Sequence, residues 1–125
     1  MARVIRVRAP SFTRVDARGT LHELMNAGTW KSVLYGRMKR HAIMGNHYHK
    51  QTDVLFFLAR GRAEVLCVNP RTGRRRRATL NHLEGILLPA WTAHAIRFAA
   101  SSAFVILKSR RYDQKRPDTF PYPVP

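Results

Sequence analysis

Along most of this chain, apolar residues either alternate with polar ones or form short runs between turn residues, and helical spacing is scarce. Period-two alternation suits half-buried strands, and short apolar runs suit strands buried on both faces. The pattern predicts strands at Arg3–Arg8, Thr20–Met25, Trp30–Gly36, Val54–Ala59, Arg62–Val68, Arg75–Leu80, Gly85–Leu88, Ala95–Phe98 and Ala103–Lys108. Such spacing predicts an all-β sandwich or barrel with a core over about residues 12–108. Asn69-Pro70-Arg71-Thr72-Gly73 carries the Pro and Gly of a hairpin connection, which places Arg74–Arg77 on an exposed arm. Beyond Lys108 the repeated prolines predict an irregular Pro-rich tail, residues 109–125, lying along the barrel without regular ladder pairing.

Length narrows this picture, since 125 residues suit one domain, and 45% hydrophobic residues suffice for one packed core. The longest apolar-rich stretch, Gly85–Leu107, is broken by Pro89, His94 and Arg97, which argues against a membrane span. The N-terminus alternates charged with apolar residues and lacks the continuous apolar run of a secretory signal, and Cys67 is the only cysteine. Both features predict a cytoplasmic location.

Charge adds a partner class. With 23 Lys plus Arg against 7 Asp plus Glu, the net charge is +16, a field that attracts polyanions. The cations cluster at Arg3/Arg6/Arg8, Arg37/Lys39/Arg40, Arg74–Arg77 and Lys108/Arg110/Arg111/Lys115/Arg116. No helix-turn-helix, zinc-finger or base-stacking pattern accompanies them, so nucleic acid is not the predicted partner. A solvated basic surface is the plain reading, and a membrane surface or a phosphorylated small molecule would also suit these clusters.

The candidate chemistry sits in Gly45-Asn46-His47-Tyr48-His49, because histidines two apart on an extended segment face the same way. Asp53, four residues beyond His49, shares that face if the segment stays extended, and His94 follows a turn stiffened by Pro89. Two or three imidazoles with a carboxylate suit zinc, iron, manganese or nickel.

His47-x-His49 closed by Gly61, followed by Pro89 and His94, resembles the two cupin motifs. Asp16-Ala17-Arg18-Gly19-Thr20-Leu21-His22-Glu23 resembles the opening of sugar-nucleotide cupins, and Tyr112–Phe120 is similar to the ending of the cupin domain in capsular-polysaccharide assembling proteins. The resemblance spans roughly Phe12–Val124 and implies a single cupin jelly-roll barrel, commonly a homodimer, in which Arg3–Arg8 would serve as an exchanged or added edge strand. It also implies a divalent metal, zinc first, held by His47, His49, His94 and Asp53. Related cupins place Glu where this chain has Val54, and many have glycine where it has Trp91.

The implied activity is isomerisation or epimerisation of an anionic substrate, a nucleotide-linked keto sugar, by proton abstraction beside the carbonyl. On that reading Tyr35 and His82 are the candidate bases, provided their strand faces point inward. Arg18, Arg37, Arg40 and Arg97 are candidate phosphate contacts, and Trp91 shapes the mouth. In metal-free relatives a motif histidine is the base, which would make His47 the acceptor and exclude it as a ligand. The same site also suits a metal-dependent dioxygenase, decarboxylase, lyase or cyclase, or a non-catalytic binding barrel.

Overall fold

Among residues 6–124, which the computed structural model describes, there are twelve strands and no helix. In chain order they are β1 (Val7–Arg8), β2 (Phe12–Asp16), β3 (Gly19–Glu23), β4 (Ser32–Met38), β5 (Ile43–Tyr48) and β6 (Val54–Arg60). Then follow β7 (Ala63–Val68), β8 (Arg75–Leu80), β9 (Glu84–Leu88), β10 (Ala93–Phe98), β11 (Ser102–Lys108) and β12 (Phe120–Pro121). Two five-stranded antiparallel sheets, ordered β1-β9-β6-β11-β4 and β12-β5-β10-β7-β8, form the jelly roll, and β2–β3 stands apart as a hairpin.

The apolar runs become the strands with most burial. All of Val54–Leu58 in β6 is buried, as are most of β7 and β10. Side chains of alternate parity face the space between the sheets, where Phe56, Phe98 and Phe104 lie with ring centroids 5.1 to 6.2 Å apart. Burying each such ring contributes roughly 1.5–3 kcal/mol. These rings belong to the middle and one end of the barrel, and the histidines of β5 and β10 belong to the other end.

A second apolar layer explains why β7 and β10 are apolar on both faces. Leu66, Val68, Ala93 and Ala95 pack on the outer side against Tyr48, Tyr122 and Val124. The tail therefore docks, and it corrects the expectation of no ladder pairing: Phe120 and Pro121 pair with Tyr48 and His47. The prolines permit this because they alternate. Tyr122 and Val124 turn their N–H groups to the Asn46 carbonyl and side-chain oxygen, at 2.8 and 2.9 Å, while Pro121 and Pro123, which have no N–H, occupy the intervening positions.

Other departures are local. Of the expected strand Arg3–Arg8, Val7 and Arg8 form β1, and Arg3–Ile5 lie outside the described residues. The expectation passed over β2, which is exposed throughout and has no core face to create an apolar period. It also did not register β5 as a ladder strand, because a bulge interrupts the alternation there. Gly45 and Asn46 adopt φ of 105° and 57°, and the register with β10 shifts between His94 and Ala95. A Cβ at position 45 would stand 2.6 Å from the His94 carbonyl oxygen, so only glycine fits. The bulge sets His47 directly opposite His94.

Candidate functional site

β5 and β10 bring His47, His49 and His94 to one end of the barrel, with one ring nitrogen of each within 4.8 Å of the others. The His47 ring centroid lies 5.0 Å from that of His49 and 4.8 Å from that of His94. His49 and His94 are buried and His47 is half-buried. Each ring is held by a backbone carbonyl. His49 Nδ1 donates to Asp118 O at 2.5 Å, His94 Nδ1 to Thr92 O at 3.3 Å, and His47 to Gly45. In His49 and His94 this puts the proton on Nδ1 and leaves the Nε2 lone pair free, the arrangement seen in metal-ligating and proton-accepting histidines.

The environment keeps the rings neutral. Burial, then the charges of His49 and Lys108, push His47 down to about 4. Burial, then His47, push His94 down to about 3. Burial also lowers His49, against the pull of the Asp118 carbonyl. Lys108 follows Ser102, Phe104 and Ile106 on the inward parity of β11, and its charge acts on all three imidazoles. Cys67 pairs with His94 across β7 and β10, but burial lifts its thiol to about 12, so it offers no thiolate nucleophile.

Several expected site residues are elsewhere. Asp53 does not join the imidazoles: its Oδ1 accepts the Ala90 N–H at 2.9 Å and ties the β9–β10 turn. The segment does not stay extended past Tyr48, and Val54 rather than a carboxylate faces the core. Tyr35 points outward from β4 at 68% exposure, because Gly36 takes the inward position against Phe104. His82 is exposed in the β8–β9 turn, and β9 separates it from the histidine end by roughly 17 Å. Neither strand face condition for a base is met.

The candidate phosphate contacts are likewise dispersed. Arg18 is at the tip of the β2–β3 hairpin, paired with Asp16 at 2.8 Å, and Arg37 and Arg97 are exposed on β4 and β10. Arg40 is exposed in the β4–β5 connection. Trp91, at φ 64°, lies against Tyr48 on the outer side of β5, with the Arg71 guanidinium 3.7 Å from its ring centre. It does not form an aromatic mouth. Two residues that the expectations omitted, Lys108 and Asp118, adjoin the imidazoles instead. Alternation along β11 carried a signal for Lys108, whereas nothing local announced Asp118.

With this geometry in hand, the model of the polysaccharide biosynthesis C-terminal domain matches residues 14–120. The chain belongs to that family. A sequence search of curated proteins finds no match. Among solved structures, the capsular polysaccharide assembling protein CapF from Staphylococcus aureus superposes with a TM-score of 0.72 at 20% identity, covering 94% of this chain. The chain spans only 34% of CapF. The dTDP-4-dehydrorhamnose 3,5-epimerase from Sulfolobus tokodaii superposes with a TM-score of 0.76 at 18% identity, over 89% of this chain and 73% of that one. A TDP-fucose-3,4-ketoisomerase from Campylobacter jejuni gives 0.73 at 16% identity, over 93% and 87%. The fold shared with these structures is the all-β cupin jelly roll. Among the described residues no helix is long and apolar enough to cross a membrane.

Proposed function

We propose that the chain is an isomerase or epimerase of a nucleotide-linked keto sugar, moving a proton at the carbon beside the carbonyl. The observation that carries this reading is the convergence of three neutral, carbonyl-anchored imidazoles beside Lys108 at one end of a barrel of this family. Enolisation needs a proton acceptor and a positive charge for the developing oxyanion. A free imidazole nitrogen supplies the first and the Lys108 ammonium the second. The C–H electron pair moves into the carbon–carbon bond as the carbonyl oxygen takes up negative charge. Return of the proton to the opposite face gives the epimer; return at the neighbouring carbon, through the enediol, shifts the keto group.

The same nitrogens fit a divalent cation, zinc before iron, manganese or nickel, since all three donors are neutral and two have Nδ1 fixed by a carbonyl. Bound by His47, His49 and His94, such an ion supplies Lewis-acid polarisation of the carbonyl. A metal-free variant of the reaction has its own support. Val54 replaces the carboxylate of related cupins and Lys108 faces the imidazoles, so the carboxylate acting on the trio is that of Asp118, whose oxygens are already held by three donors. His47, the least buried ring, is then the acceptor.

A dTDP-linked 4-keto sugar incubated with the protein in D2O is expected to take up deuterium beside its carbonyl, followed by NMR. Intact binding without exchange would leave a ligand-binding cupin, and iron-dependent oxygen uptake would move the chain to another enzyme class. Tyr35→Phe and His82→Ala are expected to exchange within about twofold of wild type. A loss beyond about tenfold in either would bring that residue back as a base, through a partner copy or a rearranged turn.

The reading includes a cytoplasmic homodimer. A lone two-stranded hairpin is marginal in water. Here β2–β3 exposes Phe12, Val15 and Leu21, and β4, the open edge of its sheet, exposes Val33 and Tyr35. A second copy covering these surfaces would bury them.

A further inference from the structure

The tail leaves β11 at Lys108, crosses the histidine end of the barrel and is fastened there by one residue. Asp118 accepts the N–H groups of Lys50 and Gln51 and the Thr52 hydroxyl, each at 2.8 Å, while its own carbonyl takes the His49 proton. Burial works against ionisation of Asp118, but these donors outweigh it and hold its carboxyl below the usual range. Both carboxylate oxygens are thus engaged. Between the fastened tail and the barrel is a cleft of about 470 Å³, within the range of small-molecule sites.

Among the charged residues in the wall of this cleft, cations predominate. Lys50, Lys108, Arg110, Arg111 and Arg116 line it, and His49 is shared with the imidazole cluster. Against these five stand two carboxylates, Asp118, already engaged, and Asp113, whose Oδ1 accepts the Lys115 N–H at 2.9 Å. Planar guanidinium groups match phosphate oxygens in a bidentate manner, and several around one cleft suit a multiply charged anion. None of the arginines singled out from the sequence as phosphate contacts, Arg18, Arg37, Arg40 and Arg97, contributes to it.

We propose that this tail cleft is a diphosphate-binding site, with Arg110, Arg111 and Arg116 as its contacts. That the diphosphate is the substrate's own rests on the sugar-nucleotide reading above; the anion site itself does not. Lys108 and His49 belong both to the cleft and to the imidazole surroundings. A diphosphate held here therefore leaves its attached sugar next to the imidazoles. The tail becomes part of the binding machinery, with Asp118 its fastening.

The test is calorimetric titration with inorganic pyrophosphate at fixed, near-physiological salt, where diffuse attraction is screened. Wild type is expected to show one saturable site per chain. Arg110→Ala/Arg116→Ala, two exposed residues whose loss spares the core, is expected to weaken it by about tenfold or more. Arg74→Ala/Arg76→Ala removes the same charge from the β7–β8 hairpin and is expected to change it less than about twofold. Absence of a saturable site, or equal weakening by both pairs, overturns the proposal and assigns the attraction to the overall charge. Site-selective pyrophosphate binding in a protein that exchanges no keto sugar upholds the anion site and refutes only the substrate reading.

Discussion

His47→Ala and His94→Ala, each purified without added metal, are expected to carry less than about a tenth of the metal of the wild-type chain and to lose about 100-fold or more in kcat/KM. Both rings bring a nitrogen to the same cluster, so removing either leaves two donors where a tight site uses three or more. Elemental analysis beside deuterium exchange reads both quantities, and circular dichroism shows whether His94→Ala, which opens a buried space, still folds. Close to one zinc, iron, manganese or nickel per wild-type chain, lost in both variants, establishes the centre. Absence of metal from the active wild type, with exchange abolished by His47→Ala, would assign His47 as the proton acceptor.

The metal-free protein is expected to lose stability steeply as pH falls from about 6.5 towards 3. In the unfolded chain the imidazoles take up protons at their ordinary 6.5, whereas folded His47 and His94 do so only at about 4 and about 3. Between those values the unfolded state binds more protons, so stability is complete above 6.5 and drains as pH drops. Most of the loss, several kcal/mol, comes from buried His94, and half-exposed His47 adds a smaller share. Asp118 adds to it at the acid end, because its carboxylate is stabilised in the folded state and that contribution disappears as pH falls below 3.8. Urea midpoints measured against pH give the curve, and His94→Leu should flatten it. A midpoint unchanged between pH 7 and 4.5 would contradict the burial of neutral imidazoles. Bound metal would leave at the acid end of this window, where protons begin to compete for the lone pairs of the folded rings.

Much of this was legible before any coordinates. Apolar runs at residues 54–58 and 63–68 announced strands buried on both faces, and His-x-His on an extended segment announced two rings on one side. Proline before His94, read with those rings, implied the third. Asp53 shows where such reading fails. A parity argument holds only while the chain stays extended, and after Tyr48 it turns, sending Asp53 to the Ala90 N–H. Tyr35 fails differently: its strand was expected, but which parity faced inward depended on Gly36 meeting Phe104.

The sequence by itself determined the all-β class, the histidine trio, the family likeness and the strong positive charge, because each depends on local period, residue type or spacing. Only the tertiary structure decided which residues share the trio's space. Lys108 reaches it from the end of β11, and Asp118 fastens the tail across it from 69 residues beyond His49. Hydrogen bonds across such distances in the chain leave no periodic trace, since a carboxylate in an irregular tail looks the same whether it holds three donors or faces water. The alternating prolines that argued against pairing are also what lets the intervening N–H groups reach β5.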